Sequence, residues 1–461
     1  MPLWNRDTAK HLLSRTLIGY SKKDLDVALS YLKLEEFIDK ELLATKPLPA
    51  PPGDWITEVP VANDPNQGTR YRDFTNWWYN LMLNQGTSMQ EKMVLFLHNH
   101  YTSQRSKVSY PQHMYKQQDL FRKNVFGNLR QLTKDVTIDP AMLIYLDGRQ
   151  NNKNVPNENY GRELMELFTL GIGNYTETDI KQAAKALTGW TVNGLNSQLD
   201  ANRFDNTNKT FLGKTGNFGY KEIVDIIFTK NETSQFLSRK LYQEFIHYKA
   251  DEVFVSKMAK VMRDNDYNLR PVLYFMLTSE EFYQSEVRGA KIKNPTEMLI
   301  GVLKIFGVET LKVDDWTYIS DIGRSLQQQL LEPPNVAGWP GQRDWISSNT
   351  YPQRGGYSDA IVNGRTVSGR NLNNKIKPID YVKTFNSKVN PQLSEDAVKL
   401  VDELSSIFLP YPLSDKRKKF LLDTLLDGTT IANWSTNTPM ADVRIQKFLR
   451  AMMRLPEFQL T

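Results

Sequence analysis

The sequence predicts a mainly α-helical protein: one large multi-helix domain with long irregular loops and few or no strands. Three observations predict it. Apolar residues recur at helical spacing through most of the chain. Asn, Ser, Asp, Pro and Gly stand at the ends of those runs as start and stop signals. Runs that alternate as a half-buried strand does are sparse.

In order, Ala9, Leu12, Leu13 and Leu17 mark a first helix, and Ser21 signals the start of a second over Asp24 to Leu43. Pro47 to Pro65 holds six prolines and little periodicity, which predicts an extended surface strap. Arg70 to Asn84 resumes as a helix whose Phe74, Trp77, Trp78 and Leu81 read as core. Ser88-Met-Gln-Glu91 has the form of a capping box opening a helix through His98-Asn99-His100. Further helices are expected at Pro111–Lys123, Asn128–Asp135, Glu222–Phe228, Glu232–His247, Val253–Asp264, Leu269–Leu277 and Pro295–Phe306. Thr191 to Gly219, rich in Asn and Gly, reads as a long loop or small hairpin. Length alone suggests about two or three domains. The pattern places the main helical domain at 1–350, an irregular polar segment at 351–390 and a helical C-terminal extension, packed on the main domain, at 391–461.

Composition sets outer limits. The 461 residues are 40% hydrophobic and 24% charged, enough for a large core. No apolar run is long enough to span a bilayer. A formal charge of +6 permits contact with an anionic polymer without requiring it, and no nucleic-acid partner is expected. There are no cysteines, which removes disulfides, thiolate nucleophiles, iron–sulfur clusters and Cys-ligated zinc. The first residues, Met1-Pro-Leu-Trp-Asn-Arg, carry no basic-then-apolar signal. The expectation is a cytoplasmic protein, or one whose export signal is missing from this chain.

The densest polar stretch runs from Asp139 to Trp190. Pro156, Asn157 and Glu158 signal a helix start, and Gly171 a stop. On a wheel of about 100° per residue, Tyr160, Leu164, Leu167 and Phe168 share one face. Arg162 and Glu166 fall opposite, and Glu163 flanks the apolar stripe. The plain interpretation is a solvated Arg162–Glu166 pair; the sharper one is a helix buried on both faces, its charges lining a polar cavity.

Chemistry is offered by few residue types. Of five histidines, His98 and His100 lie two apart; on a regular helix that is about 200°, so both face one ion only if the helix ends near Asn99. One histidine acting alone as acid, base or donor is the simpler expectation. Phosphate loops, dinucleotide fingerprints, serine-hydrolase elbows and His-Glu-x-x-His are all missing. What remains is Asp147, Glu158, Glu163 and Glu166 with His98 or His100 and Arg162. Two carboxylates in unlike environments divide into acid and base, as glycoside cleavage needs. The same oxygens suit calcium, and the histidines zinc, although no cofactor is required. Without chemistry, the set is an ion network orienting helices. Asn159, Trp190, Asn335 and Trp339 are candidate binding residues. The last two lie in the Pro- and Gly-bound loop Pro333-Pro-Asn-Val-Ala-Gly-Trp-Pro-Gly341, which serves as an aromatic ligand platform or as a plug on the core.

Leu12-Leu-Ser-Arg-Thr, Leu97-His-Asn-His-Tyr101, Pro156 through Gly171, Ala186-Leu-Thr-Gly-Trp190, Asp205 through Lys209 to Gly213, and Pro333 through Gly341 together resemble a bacterial family of unknown function, numbered eighteen hundred. The resemblance implies an exported protein, periplasmic or extracellular, often encoded beside a sulfatase-like protein that is a candidate partner. It implies no settled activity. The family usually carries His-Asp where this chain has Phe204-Asp205.

Two functions are therefore expected as alternatives. One is a hydrolase-type enzyme acting on carbohydrate or another anionic extracellular polymer, with His98, His100, Glu163 and Glu166 for acid–base work and Arg162 binding negative charge. The other is a non-catalytic cell-surface scaffold. The enzyme reading expects a pocket joining the Pro156–Gly171 helix to the Pro333 loop, with one of the two histidines sharing a cavity with at least two of the four carboxylates. Leaning on the resemblance, it also expects Arg162 to be buried against Glu163 or Glu166.

Overall fold

The first helix, Arg6–Thr16, begins where the sequence signals it. The Asn5 side chain accepts the Asp7 and Thr8 N–H groups, and Thr8 Oγ1 accepts the Asn5 N–H. Its Ala9, Leu12 and Leu13 enter a hydrophobic core that continues to Phe458. The computed structural model describes residues 2–373 and 375–461. Among these the chain forms 21 α-helices, and its strands make only two two-stranded antiparallel hairpins. The fold is mainly α. No helix among the described residues is long and apolar enough to cross a membrane.

Long helices at Gln67–Asn84, Gln90–His100, Pro111–Lys123 and Pro295–Ile305 pack around Trp78, Tyr79, Phe121 and Leu299. Contact between the Gly19 turn and the Pro295–Ile305 helix is backbone on backbone. Gly19 has φ +69°, and a Cβ there would collide with the Gly301 main chain. The Asn- and Gly-rich interval folds as hairpins: β1 (Trp190–Asn193) pairs with β2 (Asn196–Leu199), with Trp190 opposite Leu199, and β3 (Lys209–Phe211) pairs with β4 (Lys214–Gly216).

Two local expectations are corrected. The Ser88–Glu91 capping box does not form. The helix N-cap is Met89, without a side-chain cap bond. Glu91 instead accepts Arg122 Nε and Nη2 at 2.8 and 2.9 Å and Trp78 Nε1 at 3.0 Å, because a buried guanidinium needs a carboxylate, whereas the Ser88 N–H already donates to the Gln85 carbonyl. The segment expected to be irregular over 351–390 opens instead with a helix, Thr350–Asn363. Buried Arg354 donates to the Lys293 carbonyl at 3.0 Å, and Tyr357 to the Leu299 carbonyl at 2.9 Å. Tertiary partners override its poor helical composition.

The C-terminal helices Ala397–Phe408, Asp415–Leu426 and Ala441–Met453 share the same core. Tyr20 donates to the Ile407 carbonyl at 3.0 Å, and the Lys293 N–H to the Gln459 carbonyl at 2.8 Å. Both ends of the chain thus meet beside the Pro295–Ile305 helix.

Candidate functional site

Asp139 caps the short helix Pro140–Tyr145, accepting the Met142 N–H and the Gln117 amide, each at 3.0 Å. Burial pushes its carboxyl up to about 7. Asp147 follows in the left-handed region, φ +59°, and pairs with Lys107 at 2.7 Å.

The next helix starts later than its signals suggest. Asn157 accepts the Asn159 N–H at 2.9 Å, and Glu158 occupies the N-cap without a side-chain cap bond. Asn159 reaches back to the Leu146 carbonyl at 3.2 Å. One helical stretch, Asn159–Glu163, runs into a π-helical turn, Leu164–Thr169. There the Leu170 and Gly171 N–H groups both donate to the Met165 carbonyl, at 2.8 and 3.0 Å. Tyr160, Leu164 and Phe168 are buried as the wheel predicts. Single π turns recur at functional sites.

Glu163 and Glu166 are half-buried, the first ending the α-helical stretch and the second within the π turn. Burial, and then the Glu166 charge, raises the Glu163 pKa above the usual carboxylate range. Glu166 accepts the Tyr175 hydroxyl at 2.7 Å. Tyr145 lies within the field of both Glu163 and Glu332; burial first, and then these two charges, push it up to about 12. Glu332 opens the Pro333 loop and accepts the Ser106 N–H at 3.0 Å.

Arg162 corrects the expectation of burial. Its side chain is 37% exposed and makes a bidentate pair with Glu177, both bonds 2.9 Å, with Glu158 at 3.6 Å. The residue points away from the apolar face, toward Glu158 and the Glu177–Ala186 helix.

The two histidines take separate places. His98 is fully buried between Trp78 and Trp339, ring centroids 5.6 and 5.7 Å away, and neither nitrogen has a hydrogen-bond partner. His100 Nε2 meets the Phe168 carbonyl at 3.0 Å amid Phe96, Tyr101 and Phe236. Burial depresses both imidazoles to about 3. Neither histidine is hydrogen-bonded to Asp147, Glu158, Glu163 or Glu166. Helical spacing turns them apart, as the wheel requires. Among the described residues no group of three or more His, Asp or Glu side chains is placed to hold a metal ion.

The Pro333 loop closes over the helix end instead. Trp339 is buried, Asn335 is exposed, and Asn99 Oδ1 accepts the Trp339 N–H at 2.7 Å. Trp190 is half-buried edge-on to Tyr220, remote from this contact in its bonding.

A family model described as "Protein of unknown function (DUF1800)" matches residues 11–460. The chain belongs to that family. No curated protein and no solved structure matches it. In this DUF1800 chain the Phe204-Asp205 pair holds a buried cation: Lys209 Nζ sits 4.8 Å from the Phe204 ring centroid, bonds the Asp205 carbonyl, and lies 3.8 Å from the Asp205 carboxylate.

Sequence reading missed one constellation. Lys92 lies between Glu244, at 2.9 Å, and Glu297, a closer ion pair. Lys291 is 3.8 Å from Glu244. Burial opposes charge on Lys92, but the two carboxylates outweigh it and raise its pKa. The signal available was a lysine on the apolar run Lys92-Met-Val-Leu-Phe-Leu, where a solvated charge is out of place. Glu244 and Glu297 also line a cavity of about 60 Å³ with Asn99, Trp339 and Trp345. The expected pocket at the Pro333 loop therefore joins the end of the His98–His100 helix rather than the Pro156–Gly171 segment.

Proposed function

We propose that the protein is a hydrolase-type acid–base enzyme working on the face around Glu163 and Glu166, with a hydroxyl-rich polymer as substrate. One observation carries this reading: two neighbouring carboxylates, one just before a π turn and one within it, sit in unlike settings. Glu163 is desolvated and shifted toward its protonated form, while Glu166 takes a hydroxyl bond from Tyr175. In cleavage of a glycosidic C–O bond, Glu163 gives its proton to the departing oxygen. Water adds to carbon and passes a proton to Glu166, so the two carboxyls exchange roles with one water consumed.

The charge of the face favours a neutral carbohydrate over an anionic polymer. Glu158, Glu163, Glu166, Glu177 and Glu332 gather there, and Arg162 is already engaged by Glu177. The screen is turnover of neutral against sulfated polysaccharides by purified protein. Turnover of a neutral one supports the reading, and turnover of sulfated ones alone contradicts the assigned charge preference. Work outside the cytoplasm, expected from the family resemblance, belongs to this proposal.

A second reading draws on Val155 and Ile172, 71% and 80% exposed at the two ends of the same segment. Apolar side chains left in water beside a charged face suit a docking surface for a partner protein, the sulfatase-like neighbour being the candidate. Loss of binding to that protein on Ile172→Asp, with no turnover of any polysaccharide, would favour this reading.

A further inference from the structure

The β1–β2 hairpin is flanked by cations that no carboxylate answers. At its tip, Lys116 Nζ donates to the Leu195 carbonyl at 2.9 Å and to Asn196 Oδ1 at 2.6 Å, and His113 meets the Gly194 carbonyl at 2.8 Å. Arg149 stands alongside, since the 148–150 turn packs on β1 and His113 lies in the field of both Lys116 and Arg149. At the base, Arg203 Nη2 donates to the Arg149 carbonyl at 2.9 Å, and the Lys153 N–H donates to the Arg203 carbonyl at 2.8 Å. The four charges thus follow the hairpin from tip to base, and β1 alone, at four residues, is roughly 13 Å long.

None of the four is ion-paired among the described residues. The carboxylates close by in the chain are otherwise engaged: Asp147 pairs with Lys107 at 2.7 Å, Asp205 lies 3.8 Å from buried Lys209, and Asp200 accepts the Asn202 N–H at 3.0 Å. Arg149 and Lys153 are exposed, and Arg203 is half-buried with one N–H in use. Like charges gathered without partners build a positive potential that draws anions to this face. Between them the hairpin presents exposed amides, Asn193, Asn196 and Gln198, which both donate to and accept from hydroxyls.

We propose that this face binds an acidic polysaccharide, a sugar chain bearing sulfate or carboxylate groups, through Arg149, Lys153 and Arg203, with Lys116 extending the field to the tip. Charges repeated along a polymer match cations spread along a strand, whereas a single small anion meets only one of them. The amides favour sugar hydroxyls. A nucleic acid would want exposed rings on which to stack its bases, and the one aromatic residue of the hairpin, Trp190, is half-buried edge-on to Tyr220. Binding here needs no turnover, so its test is independent of Glu163 and Glu166.

The test is fluorescence-anisotropy titration of the whole protein at neutral pH, with labelled dextran sulfate and labelled polygalacturonate as probes. Neutral dextran and a single-stranded oligothymidylate are the comparisons. Saturable binding of at least one acidic polysaccharide is expected, weakened about tenfold or more between about 50 and about 200 mM salt. Response to dextran sulfate marks sulfate as the recognised group, and response to polygalacturonate marks carboxylate. The double variant Arg149→Glu/Lys153→Glu should weaken binding at least about tenfold and stay folded, because both side chains are exposed and make no bond. Lys416→Glu/Lys419→Glu, an equal charge change on the exposed face of the Asp415–Leu426 helix, should leave binding within about twofold. Absence of binding to both acidic polysaccharides overturns the proposal, as does equally tight binding of neutral dextran. Equal losses in the two double variants would show an effect of net charge alone, and tighter binding of oligothymidylate would make the partner a nucleic acid; either result also overturns it.

Discussion

The side-chain oxygen of Asn99 accepts the backbone N–H of Trp339 at 2.7 Å, joining the middle of the His-Asn-His triplet to the tip of the Pro333 loop. Gly338 makes the contact reachable. It has φ +86°, and a Cβ there would overlap Asn99 Oδ1. Asn99→Ala should cost about 1–3 kcal/mol, since the Trp339 N–H is left without an acceptor. Gly338→Ala should cost at least about 2 kcal/mol through strain and overlap together. Urea midpoints measure both, and a Gly338→Ala midpoint equal to wild type would contradict the packing described.

His98 should make the fold acid-sensitive. Its folded pKa, depressed by burial to about 3, lies below the unfolded value of 6.5, so the unfolded chain binds the extra proton. Stability is then complete above about pH 6.5 and falls as pH drops toward 3, by about 2 kcal/mol between pH 7 and 5. His11 and His100 act in the same direction. Asp139, raised to about 7, works oppositely, because the folded state holds its proton more tightly, and offsets about one of the three. His98→Leu should reduce the pH 7 to pH 5 loss by about 2 kcal/mol. An unchanged loss would show that His98 is not buried neutral.

Lys92 should be costly to remove. Lys92→Met leaves Glu297 without its ion-pair partner and Glu244 with only the looser Lys291 pair at 3.8 Å. A loss of about 3–5 kcal/mol is expected, measured by denaturant unfolding. A change below about 1 kcal/mol would mean that water reaches the pair and screens it.

Arg162→Ala should alter stability by less than about 1 kcal/mol, since the residue is 37% exposed and its bonds are at the surface. Added salt should shrink the difference further. A loss of several kcal/mol would place the guanidinium in the interior.

Helix existence was legible wherever periodicity and caps agreed, as in Arg6–Thr16 and Pro295–Ile305, because those signals are local. Thr350–Asn363 was hidden by Gly355, Gly356 and its polar residues. Its helix is held by Arg354 and Tyr357 bonding to distant carbonyls, which spacing does not encode. The Val313–Ser325 helix also escaped the sequence reading. At the site, the apolar face of Tyr160, Leu164 and Phe168 was read correctly from the wheel. The π turn was not, since a wheel of fixed pitch has no place for an inserted residue. Arg162 was misjudged because Glu177, its true partner, is 15 residues away on another helix. Lys92, Glu244 and Glu297 are separated by more than 150 and by about 50 residues in the chain, and only tertiary packing brings them together.

The central claim is that Glu163 and Glu166 perform acid–base chemistry, and matched glutamine variants test it most directly. Glu163→Gln and Glu166→Gln retain shape and remove proton transfer. Each should lower turnover of a neutral polysaccharide by about 100-fold or more, since general acid–base catalysis contributes at least that much. The melting temperature of each should stay close to that of wild type, both side chains being half-buried at the surface. The decisive measurement is the rate of Glu163→Gln against wild type on the substrate the screen selects, taken on protein of verified folding. A 100-fold loss is the predicted result, and an undiminished rate would contradict the account.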